Sequence, residues 1–119
     1  MNRSLGSARL ALSVATAILL AVAAVSAEPR VFDLAIHGGS LPSEQRVLRV
    51  QQGDAVTLRW TSDRSLTLHL HGYDVEQRVT PQTTATMSFT ARATGRFPVE
   101  IHGADGRGGT LAYLEVHPR

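Results

Sequence analysis

Between residues 66 and 71 the chain alternates strictly, with Leu66, Leu68 and Leu70 separated by Thr67, His69 and His71. A β-strand sends successive side chains to opposite faces, so the pattern predicts a strand with a leucine face and, on its other face, two adjacent imidazoles. The same period of two recurs along most of the chain. Phe32, Leu34 and Ile36 alternate with Val31, Asp33, Ala35 and His37 in a first strand ended by Gly38-Gly39. After a connector containing Pro42, residues 46–50 form a second strand, and Gln51-Gln52-Gly53-Asp54 makes a tight turn in which glycine supplies the positive φ. Residues 55–60 are a third strand with Val56, Leu58 and Trp60 on one face. Beyond the histidines the chain continues extended, with Tyr73, Val75, Gln77 and Val79 on one face, until Thr80-Pro81-Gln82 interrupts it. Ala85, Met87 and Phe89 then face inward together, as do Phe97, Val99 and Ile101 in residues 95–102. Pro98 has no backbone donor, so that strand needs an edge position or a bulge there. A glycine-rich loop, residues 103–109, precedes a closing strand over residues 111–116. Seven or eight short strands with turns between them predict an all-β, Greek-key β-sandwich or barrel.

The N-terminal segment follows a different rule. Arg3 and Arg9 stand there without an acid, residues 10–25 are small or apolar apart from Ser13 and Thr16, and Val25-Ser26-Ala27 offers small residues for cleavage. This pattern predicts a helical signal peptide over residues 1–27, export to the periplasm or beyond, and one domain over residues 28–119. A retained anchor is the alternative, but the run is shorter than the roughly 20 apolar residues a spanning helix needs.

Removing the leader changes the charge. The chain has 12 basic residues, all arginine, and 10 acidic ones. Arg3 and Arg9 lie in the leader and every acid lies after it, so the domain carries equal numbers of each sign and the pI of 9.9 owes much to the leader. With no basic tract left, nucleic acid and anionic membrane are excluded as partners of the domain. The sequence contains no cysteine. Disulfides, thiolate metal sites and a cysteine nucleophile are therefore excluded as well, and the domain must rely on its core.

Histidine carries the remaining chemistry. Imidazole binds copper, zinc, iron and nickel, so His69 and His71 on one strand face are half of a metal site. His102 is the third candidate. Alternation points it away from the face of Ile101 unless the strand ends or bulges near Pro98. His37 comes to the same end as His102 if the strands alternate in direction, and His117 beside Pro118 belongs to the tail. Met87 is a soft ligand by type but core by parity. Asp74 and Asp105 are hard ligands by type, and their neighbours make them turn caps. Ser65 and Ser88 lack a nucleophile turn and an oriented acid, so no catalytic constellation is present. The glycines of residues 103–109 lack the strand-to-helix context of a phosphate loop.

Several of these stretches together resemble the cupredoxin-like domains of small periplasmic proteins. Arg49-Val50-Gln51-Gln52-Gly53-Asp54-Ala55-Val56-Thr57-Leu58 resembles the family's Gly-Asp hairpin, and His71-Gly72-Tyr73-Asp74-Val75 resembles the segment that carries its first copper ligand. Thr94-Gly95-Arg96-Phe97-Pro98-Val99-Glu100-Ile101 resembles the strand leading to the ligand loop, and residues 109–116 resemble the last strand. The departures are equally specific. The resemblance puts a cysteine at the position of Ile101 and a histidine and methionine in the loop that follows, and this chain has none of the three. A blue-copper site needs a thiolate and two histidines, so a blue electron carrier is excluded. The resemblance is nearest to thiol-free cupredoxin-like proteins associated with bacterial iron and copper handling.

The expected function is thus metal binding without catalysis: copper, or another divalent ion, held by His69, His71 and His102. Nitrogen and oxygen donors favour Cu(II) in the affinity order of divalent ions. The alternative is a metal-free accessory module whose partner is a periplasmic or membrane metal-transport protein. A redox enzyme with a type II copper centre is a third class.

Overall fold

The computed structural model describes residues 6, 11–19, 28–103 and 108–119. The expected cleavage site Val25-Ser26-Ala27 and the loop residue Asp105 lie outside the described residues. Residues 11–19 have no regular secondary structure, so the helix expected in the leader is absent from its described part. Leu12, Val14, Ile18 and Leu19 are exposed there, and a short helix with no packed face has little to stabilise it.

Eight strands follow: β1 (Pro29–Ile36), β2 (Val47–Gln51), β3 (Ala55–Ser62), β4 (Leu66–Leu70), β5 (Val75–Val79), β6 (Ala85–Thr90), β7 (Gly95–Gly103) and β8 (Gly108–His117). One turn of 3-10 helix, Ser43–Gln45, sits between β1 and β2. They build a sheet of three in the order β1-β3-β6 and a sheet of five in the order β2-β8-β7-β4-β5. The pairs β1/β3 and β2/β8 are parallel and the rest antiparallel. Only β4–β5 and β7–β8 are consecutive strands within one sheet. Every other connection crosses between sheets, which gives the expected Greek-key sandwich.

The core is the sum of the inward halves of the alternating strands. Leu34 and Ile36, Val56, Leu58 and Trp60, Leu66, Leu68 and Leu70, Met87, Val99, Leu114 and Val116 are all buried. Each such side chain contributes on the order of 1.5–3 kcal/mol on leaving water. Met87, 1% exposed, is core as its parity requires. Two turns are held by carboxylates. Asp54, 2% exposed, accepts the Gln51 N–H at 2.9 Å and pairs with Arg119. Asp63 accepts the Gly38 N–H at 2.9 Å, and that bond holds its carboxyl below the usual range.

On β8 both Leu111 and Ala112 are buried, although strict alternation would expose one of them. The β7–β8 register shifts between Val99 and Glu100, which pair with Ala112 and Thr110, so Leu111 is an extra residue on β8. The bulge turns it inward and resets the parity for Leu114 and Val116. Pro98 sits one residue before this shift, where the ladder to β4 has also ended. Its carbonyl accepts the His71 N–H at 3.0 Å, and its donorless nitrogen faces the end of β4, so the missing donor falls at the margin of the ladder and not inside it.

Candidate metal centre

Strand β4 runs between β5 and β7 in the five-stranded sheet, with its leucines buried and Thr67 and His69 on the outer face. The register sets His69 opposite Glu76 on β5 and Glu100 on β7, and Thr67 opposite Arg78 and His102. Opposed residues share a face, so the outer surface carries a row Glu76–His69–Glu100 next to a row Arg78–Thr67–His102.

The chain does not continue extended after the histidines, as its alternation suggests, but reverses over residues 71–74 into the β4–β5 hairpin. Two backbone features force the reversal. Gly72 has φ 85° and Asp74 has φ 51°, both in the left-handed region. His71, just past the strand, keeps strand parity because its N–H still bonds to Pro98, and its ring centroid lies 4.3 Å from that of His69. Tyr73 anchors the turn from within. Its ring packs on Phe89 at 4.9 Å and edge-on to Phe97 at 5.0 Å. Its hydroxyl donates to the Ala93 carbonyl at 2.8 Å and accepts the Ala93 N–H at 3.2 Å. Burial pushes its phenol above the usual value.

Each imidazole faces a carboxylate. His69 Nε2 lies 3.7 Å from Asp74 Oδ1, and His71 Nε2 lies 3.0 Å from Glu100 Oε2. The second contact is close without hydrogen-bond geometry, and His71 Nε2, shielded from solvent, has no hydrogen-bond partner. Two donors sharing one ion through bonds of about 2.0–2.2 Å stand roughly 3–3.5 Å apart, so the His71–Glu100 separation is of the right size and the His69–Asp74 separation exceeds it. The donor set, two imidazoles and two carboxylates, fits Cu(II) or another borderline divalent ion and does not fit a blue site. Among the described residues no three histidine or acidic side chains already converge on one point.

The other expected ligands stand elsewhere. His102 does lie on the outer face with His69 and His71, and no bulge is needed to put it there. It is exposed opposite Thr67, however, two positions along β7 from Glu100, the partner of His69, and four from Pro98, so it stands roughly 7 Å from the row of His69 and roughly 13 Å from the row of His71. It lines a separate shallow cavity of about 190 Å³ with Ser65, Thr67 and Arg78. The register, not the strand parity, separates it from His71. His37 is exposed in a turn closed on Ser40, at the end of the sandwich that it shares with His102. His117 lies 3.4 Å from Glu115 on β8. Alternation and spacing point to neither Asp74 as a neighbour of His69 nor Glu100 as a neighbour of His71. Glu100 carried a usable signal, since it has the outward parity of β7, but recognising it requires the β4–β7 register.

Ile101 pairs with Leu68 and packs half-buried against the core, on the face opposite the two histidines. A thiol there and the His69–His71 rings are on different sides of the sheet. Ile101→Cys, loaded with Cu(II), is therefore expected to show no intense blue thiolate-to-copper absorption; a blue protein would contradict this geometry.

No family model matches the sequence, and no curated protein does. Solved structures do. The chain is similar to a blue copper oxidase from Nitrosomonas europaea with a TM-score of 0.60 and 21% identity, over 77% of this chain and 40% of the oxidase. It is similar to the copper-containing nitrite reductase of Thermus scotoductus (0.57, 21%, over 76% and 28%). Auracyanin A, a blue copper protein from Chloroflexus aurantiacus, matches with a TM-score of 0.58 and 14% identity over 75% of this chain and 99% of its own. The chain thus spans well under half of the oxidase and reductase and nearly all of the small blue protein. At these identities the likeness is one of fold.

Proposed function

We propose, starting from the cupredoxin-like fold that the chain adopts, that this is an exported domain that binds a divalent metal ion, Cu(II) by affinity, on the outer face of its five-stranded sheet. His69 and His71 hold the ion and Glu100 adds an oxygen donor; the role is binding or delivery, without turnover. The observation that carries the reading is His71 Nε2: shielded, lacking a hydrogen-bond partner, 3.0 Å from a carboxylate and beside a second imidazole. A buried polar atom with no partner is costly, and an ion is a partner that nitrogen at this position can take. Export rests on the leader pattern of residues 1–27. Among the described residues no helix is long and apolar enough to cross a membrane.

Calorimetric titration of the full chain with Cu(II) tests the reading. One equivalent is expected to bind, with the heat lost in His69→Ala and in His71→Ala and retained in His37→Ala. No uptake, or uptake unchanged in both site variants, overturns it. The second reading, an ion-free module working beside a metal-transport protein, draws on Ile101, which packs against the core at the position the resemblance gives to the metal thiolate. Absence of uptake in the same titration favours that reading.

A further inference from the structure

The two sheets end on four edge strands, β1 and β6 in the smaller and β2 and β5 in the larger. An edge strand turns half of its N–H and C=O groups to water and can pair with another strand unless its side chains forbid it. β5 is bordered by β4 on one side alone, since the strand that follows it, β6, belongs to the other sheet. Its outer-face residues Glu76 and Arg78 are exposed, and neither has an ion-pair partner among the described residues. Its inner-face residues are Val75, Gln77 and Val79, half-buried or buried.

Symmetry decides what this edge can pair with. A two-fold axis perpendicular to a sheet carries each face onto itself, so antiparallel strands related by it set residues of equal parity opposite one another. With the axis at Gln77, Glu76 of each strand meets Arg78 of the other, Val75 meets Val79, and the two Gln77 amides face each other. Opposite charges match on the outer face and apolar side chains match on the inner. Among the described strands no other edge does this. Arg30 and Asp33 on β1 have opposite parity and cannot be opposed in this way, and Asp33 already holds Arg59. β2 carries arginine alone, and β6 carries no charge to fix a register.

We propose that β5 pairs antiparallel with β5 of a second copy of this chain, joining the two larger sheets into one across Gln77. The outer face then runs unbroken between copies: the row Glu100–His69–Glu76 of each continues into the row Arg78–Thr67–His102 of the other. The contact is five residues a side, so the dimer is weak and forms with rising concentration.

Sedimentation velocity of the full chain from about 10 µM to about 1 mM tests this. The wild type is expected to pass from monomer to dimer. Glu76→Arg and Arg78→Glu each set like charges opposite one another at two places, and each is expected to raise the dissociation constant about tenfold or more. The double exchange, Glu76→Arg with Arg78→Glu, restores opposite charges and is expected to return the constant to within about threefold of wild type. A wild-type chain that stays monomeric at about 1 mM overturns the proposal. A dimer that neither single exchange weakens also overturns it, because association through the apolar residues 10–25 or through the uncharged β6 edge behaves that way. A double exchange no tighter than the single ones overturns the pairing of Glu76 with Arg78 and the register with it.

Discussion

Gly72→Ala is expected to destabilise the domain by about 2–5 kcal/mol, combining a left-handed backbone penalty of about 1–2 with an overpacking cost of about 1–3. A Cβ at Gly72 would stand 2.3 Å and 2.6 Å from ring carbons of Phe97, and φ there is +85°. Phe97 cannot move aside freely, because Tyr73 packs against it edge-on. Against a total stability of about 5–15 kcal/mol the loss is a large fraction. Gly53 provides the internal control: its φ is +92°, but nothing lies within 4 Å of a Cβ placed there, so Gly53→Ala is expected to show the backbone part alone. Urea unfolding of both variants measures the difference as a shift in midpoint at constant slope. Equal losses would mean that the Phe97 contact contributes nothing. A larger loss at Gly72 ties the turn that orients His71 and Asp74 to the aromatic cluster beneath it.

The comparison between turn and strand explains what the sequence could and could not disclose. Strands are legible because alternation is a property of each segment by itself: the inward sets Val56-Leu58-Trp60 and Leu66-Leu68-Leu70 are buried as their spacing demands. Registers are not, because they depend on which strand pairs with which. Thus the adjacency of His69 and His71 was readable, whereas the contact of His71 with Glu100 and the separation of His102 followed only from the β4–β7 register. The reversal at residues 71–74 was hidden because Tyr73, Val75, Gln77 and Val79 have the same parity whether the chain runs on or folds back. Leu111 broke the parity of Leu114 and Val116, a local sign of the bulge that only pairing with β7 resolves. The resemblance was informative about fold, yet it gave His71 the place of a ligand that should meet the position of Ile101. The sheet puts these two residues on opposite faces, so the family position does not transfer and any ion site here is one of this chain's own making.

Trp60→Ala is the second change expected to approach global unfolding, at a cost of about 3–5 kcal/mol. Trp60 is fully buried in the central strand of the three-stranded sheet, paired with Leu34 on β1 and Ala85 on β6. Truncation removes the largest side chain of the core and leaves a void between two edge strands that have no other partner in that sheet. Trp60→Phe is expected to cost less than half as much. The indole Nε1 is buried without a hydrogen-bond partner, and an unsatisfied buried donor costs about 1–3 kcal/mol, so deleting it offsets part of the lost packing. A phenylalanine variant as unstable as the alanine one would mean that the indole N–H is satisfied by a bound water. Because this is the chain's one tryptophan, unfolding must be followed by circular dichroism rather than indole fluorescence. The histidine pair lies on the outer face of the other sheet. In either variant the fraction that remains folded should therefore bind Cu(II) with wild-type affinity, which separates loss of fold from loss of site.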